Sequence, residues 1–355
     1  MHIHIINGYK AKEHPVSRLC LLASSDEYKE MEMITVQFIL QQRVVLGVSG
    51  CNFGAPYRYN RKGWDRIKLL NREQGDFVWH PVCPEVMAGL GVPREPIRIS
   101  GGSGQDVWDG KARVLNRKGR DVTEELKQAC LQSLEMLRSV GAVGYVFMEG
   151  SPTCGVYRTS LKNKRLGHPP GVFGALLLNE GFFLIPAIDL ESPLRWWDWR
   201  RRLHAFAWVQ RQEVTSKQEL YNLWYTVKFL CQELDDPASR QIGKDLAALP
   251  KGFFPGYADE FKTQILHILR KPSSVARIKQ RLWKSYVYYR RKEKGEMDVV
   301  LPPETPRNVT HITRELLEME RRAFEKGQFF SSAPILYRDE QRVQKMINGE
   351  TTVTE

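Results

Sequence analysis

The spacing of apolar residues changes character near the middle of the chain. From Val44 the run VVLGVS reads as a buried strand, and FVWHPVC at 77 to 83 reads as another. Residues 122 to 140 carry Leu126, Cys130, Leu134 and Leu137 on one stripe beside Ala129, which predicts a helix. A strand follows at VGYVFME (143 to 149), then a helix opening at GVFGALLLN, then a strand at FFLIPAI (182 to 188). Strands that alternate with helices predict an α/β fold, with a mostly parallel sheet carrying helices on both faces. After Ser192 and Pro193 the period becomes helical. Leu220, Leu223, Trp224, Val227, Leu230, Cys231 and Leu234 share one stripe, and 310 to 326 reads as a further amphipathic helix. The expected organisation is an N-terminal extension over 1–42, an α/β domain over 43–194 and an all-α C-terminal domain over 195–355. Met31 and Met33 are possible later starts, and the extension shows no clear period.

Composition fits that picture. The chain has 355 residues, of which 42% are hydrophobic and 26% charged, a globular balance that leaves no room for wholesale disorder or a long coiled coil. No apolar run reaches the roughly 18 to 20 residues of a membrane span, since Gly171 to Ile188 is interrupted by Asn179 and Glu180. The first residues lack the basic-then-apolar order of a secretory signal, so a cytoplasmic protein without a membrane partner is expected. Lys and Arg total 53 against 41 acidic residues, a net charge of +12. Residues 251 to 294 hold 12 basic and 3 acidic residues, so a polyanion such as nucleic acid is one reading and a solvated helical face the other.

The six cysteines form no Cys-x-x-Cys pair, which removes the ordinary zinc-ribbon and thioredoxin patterns. Cys130 and Cys231 lie on apolar helical stripes and read as core. Cys20 falls in the extension. Cys51 follows VVLGVS in the turn Ser49-Gly50-Cys51, Cys83 ends FVWHPVC, and Cys154 follows VGYVFME in Ser151-Pro152-Thr153-Cys154-Gly155. All three sit at the C-terminal ends of predicted parallel strands, the edge where open α/β sheets bind ligands. Three thiolates meeting there suit a soft metal or an iron–sulfur cluster with one coordination position left open. Three unrelated buried cysteines at tight turns remain the alternative. A zinc site completed by His80 is a third reading, weakened because His80 points to the opposite strand face from Cys83.

The runs Gly47-Val48-Ser49-Gly50-Cys51, VCPEVMAGLGVPREPIRI, GGSGQDVWDGKARVLNRKGRDVT and EGSPTCGVYR together resemble the thiouracil desulfidase family over about residues 44 to 190. The resemblance implies an oxygen-sensitive 4Fe-4S cluster held by Cys51, Cys83 and Cys154, whose fourth iron binds the sulfur of a thiolated uracil. It also implies that Glu85 is a catalytic carboxylate and Ser151 a substrate-contacting hydroxyl. The chain departs from the family where Ser-Ser-Cys is common and it has Ser49-Gly50-Cys51. It departs again after Arg58-Tyr59, where Asn60 stands in place of an Asp and Arg61-Lys62-Gly63-Trp64 follows. Both changes lie beside the first cysteine and bear on substrate preference. Desulfidase domains fused to a helical domain act on 4-thiouridine in transfer RNA, and residues 195 to 355 are similar to such a fusion in length, helical character and charge.

The expected activity is therefore iron–sulfur-dependent, hydrolytic removal of sulfur from a thiolated uracil, with 4-thiouridine in tRNA as substrate and uridine and sulfide as products. A soft iron polarises the thiocarbonyl, Glu85 takes a proton from water, and Ser151 fixes the ring. Arg200, Arg201 and Arg202 in RWWDWRRR, with Arg290, Arg291 and Lys292 in KSYVYYRRKEK, are the expected RNA contacts, since they interleave with aromatic residues. Two alternatives stay open: a desulfidase of free 2-thiouracil or another small thiolated compound, and a non-enzymatic RNA-binding metal protein. Gly101-Gly102-Ser103-Gly104 lacks the Lys-Ser or Lys-Thr of a phosphate loop and has no assigned duty. Arg94 either meets a substrate phosphate or pairs near Glu95.

Overall fold

The computed structural model describes residues 38–161, 164–167, 170–250, 252, 255–293, 299–325 and 330–337. In chain order the strands and helices of the first half are β1 (Phe38–Leu40), β2 (Val44–Ser49), β3 (Phe77–Val82), α1 (Pro84–Met87), β4 (Ile97–Ser100), α2 (Gly104–Trp108) and β5 (Arg113–Asn116). They continue with α3 (Thr123–Ser139), β6 (Gly144–Phe147), β7 (Arg158–Leu161), β8 (Lys164–Gly167), α4 (Val172–Asn179) and β9 (Phe183–Pro186). The second half holds α5 (Pro193–Arg211), α6 (Lys217–Leu234), α7 (Asp236–Ala248), α8 (Pro255–Leu269), α9 (Val275–Glu293), α10 (Val309–Glu325) and β10 (Ile335–Tyr337). No described helix is long and apolar enough to cross a membrane.

The central sheet is parallel, in the order β3-β2-β6-β9. Its near-continuous apolar strands follow from burial on both faces. Val44, Leu46, Val48, Val146, Phe183 and Ile185 face one side and pack with Trp196, Trp199, Leu203 and Phe206 of α5. Their alternates Tyr145, Phe147 and Leu184 face the other side and pack with Leu126, Cys130, Leu134 and Leu137 of α3 and Phe173 of α4. The predicted α/β architecture with helices on both faces is thus the observed one.

A second, mixed sheet in the order β5-β4-β7-β8 lies beside the first. The loop Gly101 to Gly104 links β4 to α2 and belongs to packing. Ser103 caps α2 reciprocally with Asp106, and a Cβ on Gly104 would stand 2.1 Å from the Gly171 carbonyl oxygen.

Among the described residues the second half forms helices and one strand, β10, which pairs in parallel with β1, Phe38 opposite Ile335. Sequence pattern does not reveal two three-residue strands so far apart, because each is too short to show a period. The residues before Phe38, Cys20 included, lie outside the described set.

Helix α5 overturns one sequence expectation. Arg200, Arg201 and Arg202 do not face solvent: Arg201 and Arg202 are fully buried and Arg200 is 5% exposed. Arg201 binds Asp198 at 2.7 Å and Glu233 at 2.5 Å, and Arg202 binds Asp198 at 3.0 Å. Arg200 is held by Glu320 at 2.9 Å and Glu73 at 3.1 Å. The Arg202 guanidinium stacks 4.0 Å from the Trp199 ring centroid and that of Arg201 4.5 Å from Trp197. A guanidinium enclosed by carboxylates and indoles offers nothing to a phosphate, so these three are structural cations. Burial opposes ionisation of Asp198, but Arg202 and Arg201 outweigh it and hold the carboxyl below its ordinary range. Asp198→Asn removes the charge shared by two buried arginines. It is expected to cost about 3–5 kcal/mol, read as a lower urea midpoint at unchanged slope.

Candidate functional site

Three adjacent strands deliver the three cysteines. Cys51 lies in a 3-10 turn (Gly50–Asn52) immediately after β2, Cys83 is the N-cap of α1 directly after β3, and Cys154 lies in the loop after β6. Because β2 pairs with both β3 and β6 in parallel, all three strand ends share one edge, and the order reverses there as ligand crevices require. Cys51 and Cys154 are buried and Cys83 is half-buried; none is in a disulfide.

The turns are fixed locally. Ser49 donates to the Val146 carbonyl across the sheet at 3.3 Å and accepts from the Asn52 amide at 2.8 Å, while Arg66 donates to the Asn52 side-chain oxygen at 3.1 Å. The Ser151 hydroxyl accepts from the backbone N–H groups of Thr153 at 3.2 Å and Cys154 at 3.1 Å, which shapes the Cys154 loop. The Tyr145 hydroxyl stands 3.7 Å from the Cys154 sulfur.

Glu85 opens α1, two residues after Cys83. Arg94 donates to its Oε2 twice, from Nη2 at 2.5 Å and Nε at 2.9 Å, and the pair is largely shielded from solvent. The other oxygen, Oε1, accepts from Ser151 at 3.5 Å. Arg94 also donates from Nη1 to the Tyr57 carbonyl at 2.7 Å. Both earlier readings of Arg94 give way here: its partner is Glu85, and Glu95 pairs with Lys118 instead.

Burial and like charge act on these groups together. Burial pushes the Cys83 thiol up to about 11, and nearby Glu85 adds to the rise. Burial raises Cys51 as well, with Arg58 opposing it. Cys154 is raised by burial and then by the charges of Cys83, Glu85 and Cys51. Each of the three thiols is thus disfavoured as a thiolate, and Glu85 adds to the effect at all three.

That donor set fits an iron–sulfur cluster. Metal binding requires thiolates, and this site disfavours thiolates unless a soft cationic centre compensates them. Among the described residues no three His, Cys, Asp or Glu side chains converge on a single-ion site. Cys130 and Cys231 are fully buried in apolar surroundings, as their helical stripes predict.

Two neighbours of the site are not singled out by the sequence pattern. Tyr145 reads simply as a core strand residue. Tyr57 gains its position from Gly50, where a Cβ would meet the Tyr57 ring at 2.6 Å; the departure to glycine before Cys51 was the only available signal. Of the expected RNA contacts, Arg290 and Arg291 are exposed on α9, and the Lys292 side chain lies outside the described set.

The sequence model of the 2-thiouracil desulfurase family matches residues 46–188, which include all three cysteines, Glu85 and Ser151. A Bacillus subtilis (strain 168) protein, YbbK, itself uncharacterized, is 32% identical over 152 residues, spanning 41% of this chain and 98% of that protein. A solved structure of the 4Fe-4S-dependent thiouracil desulfidase TudS is 26% identical and covers 42% of this chain and 93% of that one, with a TM-score of 0.34. Helices α5 to α10 lie outside the residues matched by the family model. A double-mutant cycle with Arg94→Met and Glu85→Gln tests the clamp. A coupling of at least about 1.5 kcal/mol in denaturant unfolding is expected, and additive effects would show the pair to be weak.

Proposed function

Because the chain belongs to the 2-thiouracil desulfurase family, we propose that it is an iron–sulfur-dependent desulfidase of thiolated uracil, acting on 4-thiouridine carried in transfer RNA. The observation that carries this reading is the arrival of three cysteines and one carboxylate at a single edge of the parallel sheet. Cys51, Cys83 and Cys154 would hold a 4Fe-4S cluster. When bound, such a cluster with one iron free of protein sulfur supplies Lewis acidity toward a thiocarbonyl.

The chain's own residues supply the rest. Arg94 occupies Oε2 of Glu85, while Oε1 accepts only the long bond from Ser151 and keeps a lone pair to take a proton from water. Ser151 accepts two backbone N–H bonds and has one proton to donate, either to Glu85 or to a ring oxygen. Water thus supplies the oxygen that replaces sulfur, and the sulfur leaves as hydrogen sulfide. The RNA-borne substrate is supported by the net charge of +12 and by the exposed Arg290 and Arg291.

Cys51→Ser, Cys83→Ser and Cys154→Ser are each expected to lose the cluster's visible absorbance after anaerobic reconstitution, whereas Cys130→Ser keeps it. Retained absorbance in all three variants would overturn the ligand assignment. Glu85→Gln and Ser151→Ala are expected to keep iron and to lose about 100-fold or more in rate; normal rates would remove their roles. The activity itself is read as sulfide released from tRNA bearing 4-thiouridine and, in parallel, from free 2-thiouracil. Release from the free base alone would refute the RNA-borne substrate.

A further inference from the structure

The segment from Phe53 to Arg66, which joins the Cys51 turn to the rest of the chain, has a composition that the cysteine site does not use. It holds four large rings, Phe53, Tyr57, Tyr59 and Trp64, each between 37% and 41% exposed. Arg58, Arg61 and Lys62 stand between them, and Asp65, the sole acid of the segment, and Arg66 follow Trp64.

The loop is held firmly against the site. Trp64 N–H donates to the Cys51 carbonyl at 2.7 Å, Arg66 N–H to Asn52 at 3.0 Å and Gly54 N–H to Trp64 at 3.2 Å. Phe53 and Asp65 form an antiparallel bridge at its base. Glycine at 63 permits this closure, since a Cβ there would stand 2.2 Å from the Ala55 carbonyl oxygen. The Tyr57 ring lies over Gly50, next to Cys51, and Arg94 ties the Tyr57 backbone to Glu85.

Its cations fall into two kinds. Arg66 is engaged by Glu191 at 2.9 Å and by Asn52. Arg61 and Lys62 are exposed at the tip, and neither has a carboxylate partner among the described residues. The Arg58 guanidinium stands 4.8 Å from the Trp64 ring centroid and 5.7 Å from that of Tyr59, with its Nε buried and lacking a hydrogen-bond partner in the described structure.

We infer that this loop is a single-stranded RNA platform, on which nucleotides flanking the thiolated uracil stack while Arg61 and Lys62 meet their phosphates. Aromatic faces interleaved with cations are what unpaired nucleotides recognise. A free base has one ring to stack and no phosphate, so it would leave most of this surface unused. The inference rests on the cysteine site acting on a thiolated uracil, and it moves the expected RNA contact from Arg200, Arg201 and Arg202 to the mouth of that site.

Binding of a fluorescein-labelled, unthiolated single-stranded RNA of about 12 nucleotides to the full chain, followed by anisotropy over a range of salt, tests it without requiring turnover. The variant Arg61→Gln with Lys62→Gln is expected to weaken binding about 10-fold and to reduce the salt slope by roughly 1.4, the value for two phosphate contacts on a single strand. Tyr57→Leu is expected to weaken binding to a similar extent through lost stacking. A control, Arg240→Gln with Lys244→Gln at two exposed positions of α7, removes the same charge elsewhere and should change binding by less than about 2-fold. Equal effects of the loop and control variants would overturn the inference. Sulfide release by the same wild-type preparation keeps the two readings apart: its absence from every thiolated uracil sinks the desulfidase reading, whereas release alongside equal loop and control binding sinks the platform alone.

Discussion

Parallel pairing of β2 with β3 on one side and β6 on the other is the constraint from which the site follows. Neighbouring parallel strands must finish at the same edge, so residues far apart in sequence meet there without any direct contact specifying them. Cys51, Cys83 and Cys154, separated by 32 and 71 residues, are brought together by this register. The same geometry places α1 at that edge, and with it Glu85. The turns add detail: Ser49, Asn52 and Arg66 secure the first, and Ser151 secures the third.

Arg94 converts separate turns into one unit. Its guanidinium reaches Glu85 on α1 and the carbonyl of Tyr57 in the neighbouring loop. A buried pair of this kind gains little from desolvated attraction alone, because removing two charges from water is costly. Its value lies in geometry, since one carboxylate oxygen is occupied and the other is left facing Ser151. The acid and the loop beside the first cysteine therefore cannot move independently.

Much of this is legible in the sequence. The strands at 44, 77, 144 and 183 and the helix at 123 are written in local period, and the three cysteines are marked by their place after strands. Long-range partners are not local properties. Nothing in VPREP announces that Arg94 meets Glu85, and β1 and β10 are too short to carry a pattern. Helix α5 departs from its sequence pattern for a physical reason. WWDWRRRLHAF has no polar face, which in a helix means burial all round, yet its arginines suggest solvent. The available clue was Asp198, three and four residues before Arg201 and Arg202, where a carboxylate can serve both.

The sheet face built from Val44, Leu46, Val48, Phe183 and Ile185 is covered by α5 and shares one apolar cluster with residues of α6 and α8. Translation delivers those strands first, at about 5–20 residues per second, so for some seconds on the ribosome this face has no cover. Cover arrives only when α5 has been made, because that helix follows the last strand of the sheet directly. The far face of the sheet is thus the last part to be covered, although the residues of its functional edge, Cys51, Cys83 and Cys154, have all been made by then.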